Sequence, residues 1–485
     1  MTTLDADAHA TASTRAGVTA PAPRNGADST GRGPESDYDG GERVPLLARP
    51  LASYYLLLSC TGLLVALGLV MVLSASSIVA FATSGSPWGF FAKQALWITI
   101  GLPLMAFASR LPIARFRSLS YPALIATILG LLMVLVPGLG VSANGATRWV
   151  GVGPFTIQPS EIAKLALVLW GADLLVRKRR LLLEWRHLLV PLLPVATLIC
   201  LLIMLQPDLG TAMVTFSVVL ALLWVVGAPA KLFSSVLGAV AIAGTLLAVL
   251  EPYRLQRLTS FADPFADAQN TGYQAVQGLF ALSSGGWWGL GLGASREKWS
   301  YLPHAHTDFI LAIIGEELGL VGTLLVVALF GVMAYAGIRV AQRCGDPFGR
   351  LVAAGITTWI TAQALINMGA VVGLLPITGI PLPLISFGGS SLVPTLFAIG
   401  ILLALARNEP AARQVVADRA ARSSARRRVP KARGGHESMA SRTAGWVSTV
   451  RGGTVRSGVA SGAARGEAAR GPRPTRRRKS RRPSR

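Results

Sequence analysis

The sequence predicts an all-α polytopic membrane protein of about ten transmembrane helices, with both termini cytoplasmic. Three observations predict it. Hydrophobic residues make up 52% of the chain and charged residues only 14%, where soluble domains carry about 25% charged residues. About ten apolar runs approach or exceed the roughly 20 residues a helix needs to cross hydrocarbon. These runs do not alternate apolar with polar residues, so they are not strands of a membrane barrel.

The runs lie at roughly 53–81, 92–109, 121–138, 158–176, 187–205, 210–227, 232–250, 307–337, 351–372 and 390–406. Within 187–227 the only break is Gln206, Pro207 and Asp208. Orientation follows from Lys and Arg, which are enriched in cytosolic loops. Arg110, Arg115 and Arg117 follow the second run, Arg177, Lys178, Arg179 and Arg180 the fourth, and Arg339, Arg343 and Arg350 the eighth. The stretches 82–91 and 373–389 hold no basic residue. An even number of spans satisfies this pattern and puts segments 139–157 and 251–306 outside. The longer one carries Arg254, Arg257, Arg296 and Lys298, but the charge rule constrains long loops less.

Three regions are expected: an N-terminal tail at 1–49, the membrane domain at 50–407 with its long external loop, and a C-terminal tail at 408–485. The net charge of +23 is concentrated at one end, because residues 411–485 hold 21 Lys and Arg against three Asp and Glu. Both tails have too little apolar surface to offset ordering entropy and are expected to be disordered. The N-terminus shows no cleavable signal pattern, so the first span is expected to direct insertion. Cys60, Cys200 and Cys344 have no metal-knuckle or disulfide spacing. No internal repeat of the transporter kind is evident.

Polar clusters gather at the external ends of the runs. "NGATRWVGVGPFTIQPSEIAK" pairs Arg148 with Trp149, and either an interfacial aromatic belt or a ligand grip accounts for them. In the same stretch Glu161 and Lys164, spaced i,i+3, are expected to pair structurally. In "QPDLGTA", Asp208 is expected to cap the next helix. "GGWWGLGLG" reads as a segment lying at the interface. In "YLPHAHTDFILAIIGEELG", Asp308 stands where a span begins, and Glu316 and Glu317 lie deeper. Ionisable groups at such depth are functional candidates; the plain alternative for Asp308 is helix-dipole stabilisation. "PITGIPLPLISFGGSS" is a broken, uncharged loop, and broken backbone at membrane depth must be buried in protein or line a cavity. There Ser386 and the backbone at Gly388 could donate to a ligand, or simply form a turn.

Taken in order, "GATRW" with "QPSEIAK", "QPDLGT", "YLPHAHTDFILAIIGEELG" and "GIPLPLISFGGSS" resemble the SEDS family of polytopic cell-wall glycosyltransferases, the FtsW, RodA and SpoVE proteins. The resemblance spans roughly 50–407. "YLPHAHTDF", the Lys298–Trp299 pair and the Arg/Ala-rich tail are more similar to actinobacterial members of the FtsW branch. It implies polymerisation of lipid II into glycan strands, a class B penicillin-binding protein as partner, other division proteins reached through the cytoplasmic tails, and a plasma-membrane location at the division septum. No nucleic-acid partner is implied. A lipid II flippase, the elongation role of the RodA branch and a scaffold without chemistry are the alternatives.

The resemblance makes Asp308 the essential acid and Arg148 the arginine of the family's "RW" pair. It departs at Thr156, Ser300 and His304, where many members carry charged residues. Chemically, a carboxylate can take the proton of an acceptor hydroxyl as it attacks an anomeric carbon. The leaving pyrophosphate needs charge compensation, for which Arg148, Arg254, Arg257 and Lys298 are cations of the right kind. Trp149, His306, Ser386 and Gly388 complete the expected substrate contacts. A divalent cation, Mg or Mn, would share the charge, with Asp308 as a candidate ligand, although no carboxylate cluster marks a metal cage.

Overall fold

The computed structural model describes residues 49–143, 146–152, 155–178, 190–250, 261–270, 272–299, 301–410 and 412–414. Each apolar run falls on a helix. These are α1 (Ala52–Ser84), α2 (Gly89–Ala108), α3 (Ile113–Leu135), α4 (Pro159–Arg177), α5 (Leu192–Met204), α6 (Leu209–Val226), α7 (Ala230–Leu250), α9 (Ile310–Arg343), α10 (Pro347–Val371) and α11 (Gly389–Arg407), with a short α8 (Tyr273–Ser284) in the long loop. Among the described residues, α1, α2, α3, α6, α9, α10 and α11 are long and apolar enough to cross a membrane. The other three runs are α5 and α7, of which Leu192–Met204 and Ala230–Ala239 count as shorter apolar helices, and α4. Charged Glu161, Lys164, Asp173 and Arg177 lower the apolarity of α4, although it is buried along almost its whole length.

The centre of the bundle is α4 and α10. The former packs on α3, α6 and α10, the latter on α6 and α9, while α2 lies along α11 and α1 along α9. Local chemistry sets the ends. Asp208 caps α6, its Oδ1 accepting from the Thr211 amide at 3.1 Å. Asp346 caps α10 by accepting from the Gly349 amide, with Pro347 at the first helical position.

Segment 139–157, expected only as a turn-rich loop, adds a three-stranded antiparallel sheet to the helices: β1 (Gly140–Ala143), β2 (Ala146–Val152) and β3 (Phe155–Ile157), in that order. Trp149 sits opposite Val141 in it. Strands this short and glycine-rich leave little alternation to read.

The run at 307–337 is not one continuous helix. α9 breaks at Gly319, where φ is 68° and ψ is −164°, a combination open essentially to glycine alone. The "GGWWGLG" loop fills the break. Leu290 and Gly291 donate to the carbonyls of Glu316 and Glu317 at 2.9 and 3.0 Å, and Leu320 and Val321 donate to Gly286 and Trp287 at 2.9 and 3.3 Å. Backbone groups freed by the kink are thereby paired, as burial at membrane depth requires. Trp287 and Trp288 stay exposed on this loop. The expected disorder of the tails, and the positions of Arg254, Arg257 and Ser300, lie outside the described residues.

Candidate active site at the mouth of the bundle

Asp308 stands two residues before α9, next to its N-cap Phe309. A turn that opens at His304, with φ 59°, folds Thr307 N–H back onto the His304 carbonyl at 3.0 Å. This leaves the Asp308 side chain partly exposed. Its Oδ2 is 3.6 Å from where a Cβ on Gly379 would lie, and Gly379 has φ +71°. The carboxylate thus rests over the backbone of the proline-rich loop.

Two segments, 304–308 and 380–388, are strapped together. Phe387 N–H donates to the His306 carbonyl at 3.0 Å. Ser386 Oγ donates to the Thr307 carbonyl at 2.6 Å and accepts from Leu382 N–H at 2.8 Å. Asn367 Nδ2 donates to the carbonyls of both Asp308 and Ile380 at 2.8 Å. Gln94 of α2 donates to the Ser386 carbonyl and accepts from Gly388 N–H, each at 3.3 Å. The expectation that Ser386 and Gly388 present donors to a ligand meets a different arrangement: these donors are turned onto protein groups, because the broken loop must satisfy its own buried backbone.

His306 packs its ring 4.8 Å from Phe90 and 5.8 Å from Phe387, centroid to centroid. Burial, reinforced by the nearby His304 charge, pushes its imidazole down to about 4. It is neutral near pH 7.

Arg148 is fastened to the α5–α6 turn. Its Nε donates to the Gln206 carbonyl at 3.3 Å, a terminal nitrogen donates to the Pro207 carbonyl, and another lies 4.0 Å from Asp208 Oδ1. That turn reaches the carboxylate's support, since a Cβ on Gly210 would stand 2.5 Å from Ile380 Cγ2. The "RW" strand, the "QPD" turn, the proline-rich loop and Asp308 therefore form one connected mouth. Trp149 is half-buried on β2 beside Arg148. A cavity of about 330 Å³, bounded by α8, the end of α10 and Ile377, opens nearby.

Lys298 departs from its expected place as an external phosphate cation. It is buried, donates to the Gly293 carbonyl, and lies 3.6 Å from Glu317 Oε1. The reason is the glutamate, fully enclosed, which also receives Ser74 Oγ at 2.6 Å. Glu316 accepts from Ser295 Oγ and the Arg296 amide at 2.5 and 2.8 Å. The two deep carboxylates are thus tied to the loop that fills the α9 break. Lys164 and Glu161 pair at 2.8 Å as expected, and Lys164 also donates to Gln363 Oε1 at 2.7 Å.

Sequence reading missed Asn367, Gln94 and Gln363. Their signal was available: each is an isolated amide in an apolar run, and a buried amide must find partners. Among the described residues no group of three or more His, Cys, Asp and Glu side chains comes together to hold a metal. Among those residues the donors do not form a protein-held metal cage.

The fold and mouth define a multi-pass membrane protein with a carboxylate and interlocked polar loops at one end of a helical bundle. Residues 54–411 match the family model described as cell cycle protein, that of FtsW, RodA and SpoVE, and the chain belongs to this family. It is 46% identical over 386 residues to the probable peptidoglycan glycosyltransferase FtsW of Mycobacterium tuberculosis, covering 78% of this chain and 74% of that protein. It is 41% identical over 353 residues to stage V sporulation protein E of Bacillus subtilis, covering 73% and 96%. Among solved structures, it is similar to one described as "Structural coordination of polymerization and crosslinking by a peptidoglycan synthase complex", with TM-score 0.61, 29% identity and coverage of 73% and 97%. The rod shape determining protein RodA of Thermus thermophilus is similar at TM-score 0.54 and 29% identity, with coverage of 73% and 96%.

Proposed function

We propose that this protein is a peptidoglycan glycosyltransferase that polymerises lipid II during septal wall synthesis, with Asp308 as the general base. Asp308 takes the proton of an acceptor hydroxyl, the oxygen bonds to the anomeric carbon of the donor sugar, and the bond to the pyrophosphate breaks. The pyrophosphate leaves with its electron pair and needs no proton. The observation that carries this reading is the partly exposed Asp308 carboxylate resting over Gly379 at the mouth of the bundle, in a chain whose relatives are named for this activity. Arg148, already at the mouth, supplies positive charge toward the pyrophosphate. An apolar lateral cavity of about 480 Å³, lined by residues such as Leu104, Phe116, Ile162 and Phe397, has the character an isoprenoid chain requires.

The relatives' names favour the division polymerase over the flippase and over the elongation role. A class B penicillin-binding protein is the partner we assign, and the septum the location. Purified protein given lipid II separates the classes: glycan polymer for a polymerase, leaflet exchange for a flippase, neither for a scaffold. Asp308→Asn keeps size and removes the base, so polymerisation is expected to fall by about 10²–10⁴ while the protein stays folded. A folded Asp308→Asn protein working at the wild-type rate would sink the mechanism.

A further inference from the structure

We infer that Asn367 is a positioning residue for the reaction, fixing where the Asp308 carboxylate stands by binding the Asp308 and Ile380 carbonyls to one amide. This rests on the reading of Asp308 as the reacting base. Asn367 lies near the end of α10, 2% exposed. Both of its donors are spent, one bond to each carbonyl at 2.8 Å. Its Oδ1 is buried with no hydrogen-bond partner among the described residues. An amide that leaves its acceptor unpaired in the interior carries a cost, so the two donated bonds carry its role.

The two carbonyls belong to segments that no helix or strand ladder joins. Asp308 precedes α9, and Ile380 follows Gly379, over which the carboxylate rests. The straps from Phe387 and Ser386 hold His306 and Thr307, and Asn367 holds Asp308 itself. One helical turn before Asn367, Gln363 binds the Pro381 carbonyl at 3.1 Å and receives Lys164 and Trp359 on its Oε1 at 2.7 and 3.0 Å. Asn367 is thus the outer of two buried amides on α10, the inner of which accepts from Lys164 of α4. Without it Asp308 loses the bond that ties its own backbone to the loop, and a misplacement of about 1 Å costs on the order of 10²-fold in rate.

The test uses the full-length purified chain with lipid II, comparing wild type, Asp308→Asn, Asn367→Leu and the double variant. Asn367→Leu keeps the shape of the side chain and deletes both donors. The expected result is kcat lower by about 10- to 100-fold with KM for lipid II little changed. The double variant is expected to be no slower than Asp308→Asn alone, because a residue acting through another adds nothing once that one is gone. Wild-type kcat in Asn367→Leu overturns the inference, and so does a raised KM at unchanged kcat, which marks a substrate contact. Losses that multiply in the double variant also overturn it, as marks of a merely structural role. If Asn367→Leu does not fold, Asn367→Ala is judged by the same criteria, and failure of both to fold assigns the residue to stability alone. A wild-type rate in Asp308→Asn would instead defeat the reading of the base, which separates the two failures.

Discussion

Ser74 of α1 places its hydroxyl 2.6 Å from both carboxylate oxygens of Glu317, across 243 residues of sequence. With Lys298 on the other side, this makes Glu317 the point where α1, the kinked α9 and the long loop meet. Lys298→Met keeps the aliphatic stem and removes the charge. Breaking a buried pair from one side typically costs about 3 kcal/mol or more, so a clear drop in melting temperature in detergent is expected. Adding Glu317→Gln should restore part of it. An unchanged melting temperature in Lys298→Met would show that the pair contributes nothing.

Arg148 joins the sheet to the α5–α6 turn through two backbone carbonyls. Arg148→Lys keeps the charge but loses the fork that reaches both. Lipid II turnover is expected to fall in Arg148→Lys and further in Arg148→Ala, with both variants still in the membrane. Failure of Arg148→Ala to accumulate would make the residue a structural anchor.

His306 gives a pH signature. Its imidazole is held down to about 4, from an ordinary 6.5, chiefly by burial. The unfolded chain therefore binds more protons than the folded one between those values, and stability rises with pH there. The contribution is complete above about 6.5 and is lost as pH falls toward 4. Melting temperatures taken from pH 7.5 downward should decline through this window, and less steeply in His306→Phe. Equal slopes would contradict the assignment.

The basic tail is expected to act on anionic lipid or division partners, since each Lys or Arg near an anionic leaflet gains at most about 1 kcal/mol. Deleting residues 411–485 should leave polymerisation in detergent at the wild-type rate and alter septal localisation by fluorescence. Loss of purified activity would contradict this.

The helices were legible because hydrocarbon demands long apolar runs, and each run falls on a helix, the one at 307–337 broken at Gly319. The Asp208 cap and the Glu161–Lys164 pair were legible because their partners are three residues away. What escaped was set by distant contacts. Lys298 reads as an external cation until Glu317 is seen beside it. Ser386 and Gly388 read as donors to a ligand until Thr307 and Gln94 claim them. The break in α9 was hidden because glycine at 319 is common enough in membrane helices, and its filler loop is almost thirty residues earlier in the chain.

The kink at Gly319 also bears on how this chain can change in length. The segment between Asp308 and Gly319 is pinned at one end by Asn367 and at the other by the "GGWWGLG" loop. A helix turns by about 100° per residue. One residue gained or lost inside that segment would swing the carboxylate away from Gly379. The same change in the long loop before α8 leaves both pins in register. Between Asp308 and Gly319, the number of residues sets where the carboxylate stands, as the residues themselves do.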